Sequence, residues 1–441
     1  MKIFFDTLGC DKNLSDSEHM LRLLYEDGFQ FTDDEEDADI AVVNTCCFIN
    51  DAKKESIDEI LRLGKLKENG KLKLLVATGC LSERFRDSFL SLLPEVDCIL
   101  GVTAWDRISE VIRDALRDGE KHEEFSDKNR LVAPEGRILT GGGYYAYLKI
   151  AEGCNKRCTY CVIPGVRGNY RSVPMESLLA EAKTLIDNGV RELILVAQET
   201  TLYGSDLYGK KMLPELLYKL SELEGLEWIR ILYAYPEEIT DELIEAIRDL
   251  PKVVHYLDMP VQHASDSVLK RMGRRTTRAE LTAVIEKLRK EIPDITLRTT
   301  LISGFPGETE EDHEELLQFI RDVRFDRLGV FAYSREEGTP ASSMDGQIPA
   351  RIKEKRRNAC MKLQQEIAFH KAETLTGQIL TVMIEGYLPD EGVYAGRTYM
   401  DAPEVDGMIF IRSFRELMSG DFVRVYVDGT SGYDLTGEVL E

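Results

Sequence analysis

Residues 145–161 read YAYLKIAEGCNKRCTYC, a strand-like run that leads directly into three closely spaced cysteines. The apolar run at 145–150 predicts a buried strand, and Cys154, Cys158 and Cys161 follow it in a C-x3-C-x2-C pattern. Three thiolates on one tight loop can bind three irons of a 4Fe–4S cluster, which leaves the fourth iron open to a small molecule. The loop follows the carboxyl end of its strand, where β/α barrels place their chemistry. The spacing therefore predicts an iron–sulfur site with one open coordination position.

A zinc knuckle is the alternative interpretation of the same three cysteines. Structural zinc takes four Cys or His ligands from nearby segments. The nearest histidines, His122 and His255, are remote in sequence, and no second C-x2-C pair follows the loop. The three-cysteine cluster is therefore the favoured interpretation.

The cysteine loop opens a longer block in which strand and helix patterns alternate. Strand-like runs occur at 145–150, 192–197, 228–233, 255–259, 296–303 and 328–333, with amphipathic helical patterns between them. Six such units predict a β/α barrel, full or partial. A polar helical pattern at 350–375 follows the last strand, so we assign residues 144–375 to this block.

The two flanking blocks have different patterns. Residues 1–118 carry strand-like runs at 3–6, 38–43 and 72–78 and helical patterns at 17–27, 53–69 and 104–118, which predict an open parallel α/β sheet. Residues 119–143 are polar and end in three glycines, which predicts a linker. Residues 376–441 contain five short strand-like runs, which predict a small all-β barrel. We therefore expect an α/β protein of three domains.

Three further cysteines follow the strands of the first block. Cys10, Cys46 and Cys80 each lie two to four residues past a predicted strand. The carboxyl ends of neighbouring parallel strands share one edge of an open sheet, so residues distant in sequence can converge there. This placement predicts a second three-cysteine cluster, whereas the alternative is three unrelated buried thiols. The remaining cysteines are interpreted as structural: Cys47, Cys98 and Cys360.

The composition narrows the classes of protein that fit. At 441 residues, with 43% hydrophobic and 31% charged residues, the chain has the composition of a soluble globular protein. No run approaches the roughly 20 apolar residues of a membrane span, and no signal-peptide pattern opens the sequence, so we expect a cytoplasmic protein. Nine cysteines in a reducing compartment do not indicate a disulfide framework. The net charge of −23 fits either simple solubility or a basic macromolecular partner.

Several motifs together resemble the radical S-adenosylmethionine methylthiotransferase family along the whole chain. The cysteine loop, with Tyr160 before its third cysteine, is similar to the superfamily signature. The other matching motifs are Leu8-Gly9-Cys10-Asp11-Lys12-Asn13-Leu14, Asn44-Thr45-Cys46, Thr78-Gly79-Cys80, Ile163-Pro164, Arg167-Gly168, Gln198-Glu199-Thr200-Thr201, Tyr235-Pro236 and Gly304-Phe305-Pro306-Gly307-Glu308-Thr309. The resemblance implies two 4Fe–4S clusters, S-adenosylmethionine as methyl donor and radical source, and a C-terminal barrel of the TRAM type.

Four residues beside the predicted sites are candidates for contact with S-adenosylmethionine. Tyr160 lies in the cysteine loop, and Gln198 ends a predicted barrel strand. Gly304 and Gly307 follow another strand and would let the backbone approach a cofactor closely. The alternatives are ordinary core packing for Tyr160 and a simple strand–turn–helix connection for the two glycines.

Within this family, the run from Gly9 to Leu14 looks like the branch that modifies a ribosomal protein, and residues 206–209 and 336–340 point the same way. Cys47 departs from the glycine usual in that branch. Residues 376–441 carry twelve Asp and Glu against four Arg, which suits a basic protein better than phosphate.

The resemblance therefore implies radical β-methylthiolation of an aspartate in the small-subunit ribosomal protein numbered twelve. It further implies an electron donor such as flavodoxin or ferredoxin, a sulfur donor, and no membrane partner. The alternatives are methylthiolation of an adenosine in tRNA and, in a different class, a non-catalytic iron–sulfur or zinc scaffold.

Overall fold

The computed structural model describes residues 1–132 and 136–440, which form three successive structural units. Residues 133–135, part of the predicted linker, and residue 441, the end of the predicted third block, lie outside the described residues. Among the described residues, no helix is both long enough and apolar enough to cross a membrane.

The first unit is an open sheet of six parallel strands in the order β2-β1-β3-β4-β5-β6. Both central strands, β3 and β4, are buried along their whole length, as expected for a parallel sheet covered by helices. The predicted open α/β sheet is confirmed. The elements in chain order are β1 (Lys2–Thr7), α1 (Asp11–Glu26), β2 (Gln30–Phe31), β3 (Ile40–Thr45), α2 (Asn50–Glu68), β4 (Leu74–Gly79), α3 (Cys80–Arg84), α4 (Phe89–Leu92), β5 (Cys98–Leu100), α5 (Ile108–Asp118) and β6 (His122–Glu124).

Two details of this unit differ from the sequence interpretation. Helix α1 begins at Asp11, directly after Cys10, and not at residue 17. Its first two turns bury polar side chains, among them Lys12 and Asn13, so hydrophobic periodicity does not mark them. Strand β6 lies inside the segment predicted as a linker and pairs with β5 over three residues, too short a run to show a pattern.

The second unit is a sheet of six parallel strands in the order β14-β13-β12-β11-β10-β7, with β8 and β9 forming a separate two-stranded pair. The sheet does not close, so the unit is a partial β/α barrel. Threonine capping boxes at Thr277 and Thr309 start two of its helices. The elements are β7 (Tyr145–Lys149), β8 (Ala151–Glu152), α6 (Ile163–Val166), β9 (Arg171–Ser172), α7 (Met175–Asp187), β10 (Glu192–Val196), α8 (Leu213–Ser221), β11 (Trp228–Ile231), α9 (Asp241–Asp249), β12 (Val253–Asp258), α10 (Asp266–Arg271), α11 (Arg278–Glu291), β13 (Thr296–Ser303), α12 (Glu310–Val323), β14 (Arg327–Ala332) and α13 (Ala350–Glu373).

The third unit is a closed five-stranded barrel in the order β15-β16-β17-β19-β18, which confirms the predicted small β-barrel. Its neighbouring strands are antiparallel except for β17 and β19, which are parallel. Its strands are β15 (Ile379–Leu388), β16 (Val393–Thr398), β17 (Ile409–Arg412), β18 (Phe422–Ser431) and β19 (Asp434–Val439).

The third unit packs on the open face of the partial barrel. In β10, Leu193 and Leu195 point into the core under the helices, whereas Ile194 and Val196 join a cluster with Met383 of the third unit. This division follows the two-residue period of a strand. Both faces of the central sheet are therefore covered, one by its own helices and the other by the C-terminal barrel together with Leu14 of α1.

Candidate active site

The first cysteine set lies on the loop between β8 and α6, at the carboxyl end of β7. Cys154 and Cys158 are buried, and Cys161 is half-buried. The loop is held by the backbone: Cys154 N–H donates to the Gly168 carbonyl at 3.2 Å and Thr159 N–H to the Met272 carbonyl at 2.9 Å. These bonds hold the loop that carries the three cysteines against neighbouring segments of the central unit.

Gly153 shows how tightly this loop is folded. Its φ of +77° lies in the left-handed region, and a Cβ at this position would fall on the Asn169 carbonyl oxygen. Only glycine meets both conditions without strain. Burial is the largest cause that raises the pKa of Cys154 to about 11, and the Glu199 carboxylate and the Cys158 thiol act in the same direction. A metal centre binding here would displace the thiol protons.

Around this loop, several buried polar atoms of the described residues have no hydrogen-bond partner. They include Glu199 Oε2, Gln198 Oε1, Tyr170 Oη and two nitrogens of Arg274, Nε and Nη1. Burial, reinforced by Glu238 and Glu237, raises the pKa of Glu199 to about 7 against the opposing charge of Lys156. Unsatisfied buried donors and acceptors are costly without a ligand. Acidic and basic groups together fit a zwitterionic molecule such as S-adenosylmethionine.

The candidate contact residues have definite positions beside this loop. Tyr160 packs edge-to-face on Phe305 at 6.5 Å between ring centroids. Gln198 Nε2 donates to Glu152 Oε1 at 2.9 Å. Gly304 and Gly307 have φ of +77° and +80°, and the space a Cβ would need is taken by Lys353 and Arg271, respectively. The turn that follows β13 therefore requires glycine at both positions for structural reasons alone.

The second cysteine set lies where adjacent strands of the first sheet end. Cys10 precedes α1, Cys46 follows β3 and Cys80 begins α3. Cys10 is exposed and the other two are buried. Gly9 has φ of +98°, and a Cβ there would lie 2.7 Å from Cys46 Cβ and 2.8 Å from its Sγ. The loops that follow the neighbouring strands β1 and β3 are therefore in contact at Gly9 and Cys46.

Cys47 takes a different direction from its neighbour. Its Sγ donates to the Cys80 carbonyl oxygen at 3.1 Å, and its side chain belongs to the hydrophobic core of the first unit. Burial is the main cause that raises the pKa of this thiol well above its ordinary value. Cys98 and Cys360 are fully buried in the cores.

A single metal ion and an iron–sulfur cluster make different demands on such sites. Within residues 1–132 and 136–440, no three His, Cys, Asp or Glu side chains form a group that could hold one metal ion. A 4Fe–4S cluster takes one thiolate on each iron, so its ligands need not converge on one ion. Thiols as the donor set and glycine cradles behind Cys46 and Cys154 fit such a cluster.

Arg167 joins the second cysteine set to the central unit, and the sequence interpretation did not single it out as a site residue. Its guanidinium contacts Cys80, Asn13 and Asp16 of the first unit and Glu152 of the second. The signal in the sequence was its place in the Arg167-Gly168 pair after the first cysteine loop.

A second unpredicted contact links the same two units. The Lys12 ammonium lies 3.3 Å from the centroid of the Tyr233 ring and 2.8 Å from Asp11 Oδ1. Tyr233 has φ of +59° and donates from its hydroxyl to Asp11 Oδ1 at 3.1 Å. Backbone strain of this kind concentrates at functional sites. The start of α1, beside Cys10, is thereby held against the end of β11.

A partial barrel with a C-x3-C-x2-C loop at the carboxyl end of its first strand defines a radical S-adenosylmethionine enzyme, and residues 148–320 match the radical SAM superfamily. Residues 2–101 match the uncharacterized protein family UPF0004 and residues 376–440 the TRAM domain. The chain is 59% identical over 438 residues to the ribosomal protein uS12 methylthiotransferase RimO of Lachnoclostridium phytofermentans, covering 99% of both chains. It is 50% identical to the RimO of Thermoanaerobacter sp. strain X514, covering 98% of both. The chain belongs to the RimO family of radical SAM methylthiotransferases.

Solved structures of low sequence identity share the fold. The radical S-adenosylmethionine methyltransferase TsrM of Kitasatospora setae, with cobalamin and a 4Fe–4S cluster bound, matches with a TM-score of 0.54 at 13% identity. That match covers 86% of this chain and 80% of TsrM. The cobalamin-dependent radical enzyme OxsB matches with a TM-score of 0.53 at 15% identity, covering 83% of this chain and 56% of OxsB.

Proposed function

We propose that this protein adds a methylthio group to the β-carbon of an aspartate side chain of ribosomal protein uS12. Its cofactors are S-adenosylmethionine and two 4Fe–4S clusters. The observation that carries the proposal is a pair of three-cysteine sites on two neighbouring units, which the buried guanidinium of Arg167 links through Cys80 and Glu152, in a chain of the RimO family.

In this proposal, each cluster is held by three thiolates and keeps one open iron. Cys154, Cys158 and Cys161 hold the first cluster. Cys10, Cys46 and Cys80 hold the second. The direction of the Cys47 thiol, towards a backbone carbonyl in the hydrophobic core, supports Cys46 as the ligand of that adjacent pair.

S-adenosylmethionine, when bound, supplies the methyl group and the radical chemistry that breaks the substrate C–H bond. The chain's own residues bind and orient it. The unpaired nitrogens of Arg274 suit its carboxylate, and the unpaired oxygen of Glu199 suits its amino group. Gln198 is held by Glu152 and offers one more acceptor. Tyr160, Gln198, Gly304 and Gly307 remain our predicted contacts.

The domain division is part of the same proposal: residues 1–118 and 376–441 flank a catalytic unit of residues 144–375, with 119–143 as the connection. The third domain covers the open sheet face, and such a cover helps to exclude water from reactive intermediates.

The substrate side of the proposal rests on charge. Asp401 and Asp406 of the third domain pair with arginines of the central unit. Seven other acidic side chains there are exposed, against three exposed arginines. That surface suits a basic protein better than tRNA. An electron donor such as flavodoxin or ferredoxin and a sulfur donor complete the reaction, and we place it in the cytosol.

Mass spectrometry of the product tests this function. Anaerobically reconstituted enzyme is incubated with S-adenosylmethionine, sulfide and dithionite, with uS12 in one reaction and tRNA in another. A gain of one methylthio group on an aspartate of uS12 is expected. A methylthio group on an adenosine of tRNA would support the proposed radical reaction but refute uS12 as the substrate. The Cys154→Ala variant, which lacks one first-cluster ligand, serves as the inactive control.

A further inference from the structure

Arg167 is one of the largest fully buried side chains of the protein, with a relative exposure of 1%. Its Nη1 donates to Glu152 Oε2 at 2.9 Å and to Asp16 Oδ2 at 3.2 Å, and its Nη2 donates to Asn13 Oδ1 at 2.6 Å. Its Nε donates to Cys80 Sγ at 3.4 Å. Four acceptors from α1, α3 and β8 therefore hold the guanidinium in one orientation.

The charges around Arg167 balance without any contribution from sulfur. Lys149 pairs with Asp16 and with Glu152, the same two carboxylates that Arg167 contacts. Two cations face two anions in this buried setting, so the group carries no net charge before the thiol is counted. The Nε–H directed at Cys80 is thus not needed to neutralise the guanidinium. It acts on the thiol.

This contact is specific to one cysteine. Among the described residues, Arg167 is the only charged side chain that donates a hydrogen bond to the sulfur of a proposed cluster ligand. In the first cysteine loop, the Sγ of Cys154 accepts instead from the backbone N–H of Lys156 at 3.5 Å. The two cysteine sites therefore differ in their electrostatic surroundings.

We propose that Arg167 is a positioning residue that fixes Cys80 as a ligand of the second cluster and raises the reduction potential of that cluster. This inference rests on the proposed function, which assigns Cys80 as a ligand. A hydrogen bond to a ligating sulfur and a nearby positive charge both stabilise the added electron of a reduced iron–sulfur cluster. Arg167 also follows the first cysteine loop in sequence, so its side chain ties the segment that carries the first cysteine set to Cys80 of the second.

A redox titration of the isolated second cluster tests the proposal. The triple variant Cys154→Ala, Cys158→Ala, Cys161→Ala of the full chain keeps only that cluster, and its midpoint potential is followed by electron paramagnetic resonance. Adding Arg167→Gln is expected to move the midpoint to more negative values, and Arg167→Lys, which keeps the charge but loses the planar fork, to move it less. If Arg167→Gln releases the iron, a negative shift in the Lys variant carries the test. An unchanged midpoint in iron-loaded variants would overturn the inference.

Arg84 provides the matched control. Its Nη1 donates to the Cys47 carbonyl and to Glu336 of the central unit, both at 2.9 Å, so it also joins the two units, and the thiol that it contacts is that of Cys47, outside the proposed ligand sets. Arg84→Gln in the same background is expected to leave the midpoint unchanged. An equal shift in that variant would show that Arg167 acts only by docking the units, and would overturn the proposal.

The assignment of Cys80 is tested separately by its own variant. Cys80→Ala in the triple-alanine background is expected to abolish iron binding. Full iron content in that variant would refute the ligand set of the proposed function. Loss of iron there, with an unchanged midpoint in both Arg167 variants, would refute the inference about Arg167 and leave the ligand set standing.

Discussion

Glu192 is the central charge of the contact between the third domain and the partial barrel, and its removal should loosen that contact. The carboxylate is fully buried at the start of β10. It accepts from Arg230 Nε at 2.7 Å and from Arg397 Nη2 of the third domain at 2.8 Å, and both arginines are buried. Arg230 also donates to the Tyr399 carbonyl at 2.7 Å.

The Glu192→Gln variant keeps the size of the side chain and removes its charge. Arg230 then loses its ion pair and Arg397 keeps only its pair with Glu385, and removing one partner of a buried pair costs about 3–5 kcal/mol. Because each ~1.4 kcal/mol is a factor of ten in an equilibrium constant, the balance between docked and released third domain should shift by at least about 100-fold. Burial opposes ionisation of Glu192, but Arg397 and Arg230 outweigh it and hold its pKa below the ordinary value. The stability that the Glu192 carboxylate adds is therefore fully present at pH values above the ordinary pKa of a glutamate. It is lost only as the pH falls through the lower pKa of Glu192 in the folded protein.

Limited proteolysis between α13 and β15, combined with denaturant unfolding, measures this change. The variant should release the C-terminal fragment much faster and unfold at lower denaturant concentration. The control is Lys183→Gln, which breaks an exposed pair with Asp187 and should cost less than about 1 kcal/mol. A Glu192→Gln variant that behaves like this control would refute the reasoning.

Three further predictions concern the cysteine sites and pH. Gly9→Ala should lose the second cluster, because its Cβ would collide with the side chain of Cys46. The control is Gly119→Ala, which has φ of +73° and open space around it, and which should cost only about 1 kcal/mol of stability. Iron analysis should find the full iron content in the control and less iron in Gly9→Ala. Cys46→Ala should bind about half of the wild-type iron and Cys47→Ala all of it, and the reverse result would exchange the two assignments. Burial, then the charge of Arg137, lowers the pKa of His19 to about 3, so its neutral form stabilises the fold and that stability is lost as the pH falls below about 6.5. Between pH 7.5 and 5.5 the stability of His19→Gln should therefore fall by about 1.4 kcal/mol less than that of the wild type, and parallel curves in denaturant unfolding would contradict this.

The sequence interpretation was accurate where the information is local. Strand-like runs, helical periodicity and the C-x3-C-x2-C spacing are properties of neighbouring residues, and they predicted three units of the right class. The same reasoning missed the first turns of α1, where Lys12 and Asn13 are buried polar residues. It also missed strands β2, β5 and β6, which have two or three residues each. Polar burial and very short strands leave no periodic pattern to read.

By itself, then, the sequence determined the alternation of strands and helices and the acidity of the third domain, because each is written in composition or in short spacing. It also predicted the two cysteine sets, the first from its C-x3-C-x2-C spacing and the second from the position of each cysteine just after a predicted strand. Tertiary structure alone decided that Cys46 and Cys47 point in different directions, that Arg167 meets Cys80, and that Glu192 meets Arg397. Those pairs are separated by many residues or differ only in side-chain direction. Their contacts exist because the packing of one unit on another brings charged groups together where water is excluded, and no local pattern encodes that packing.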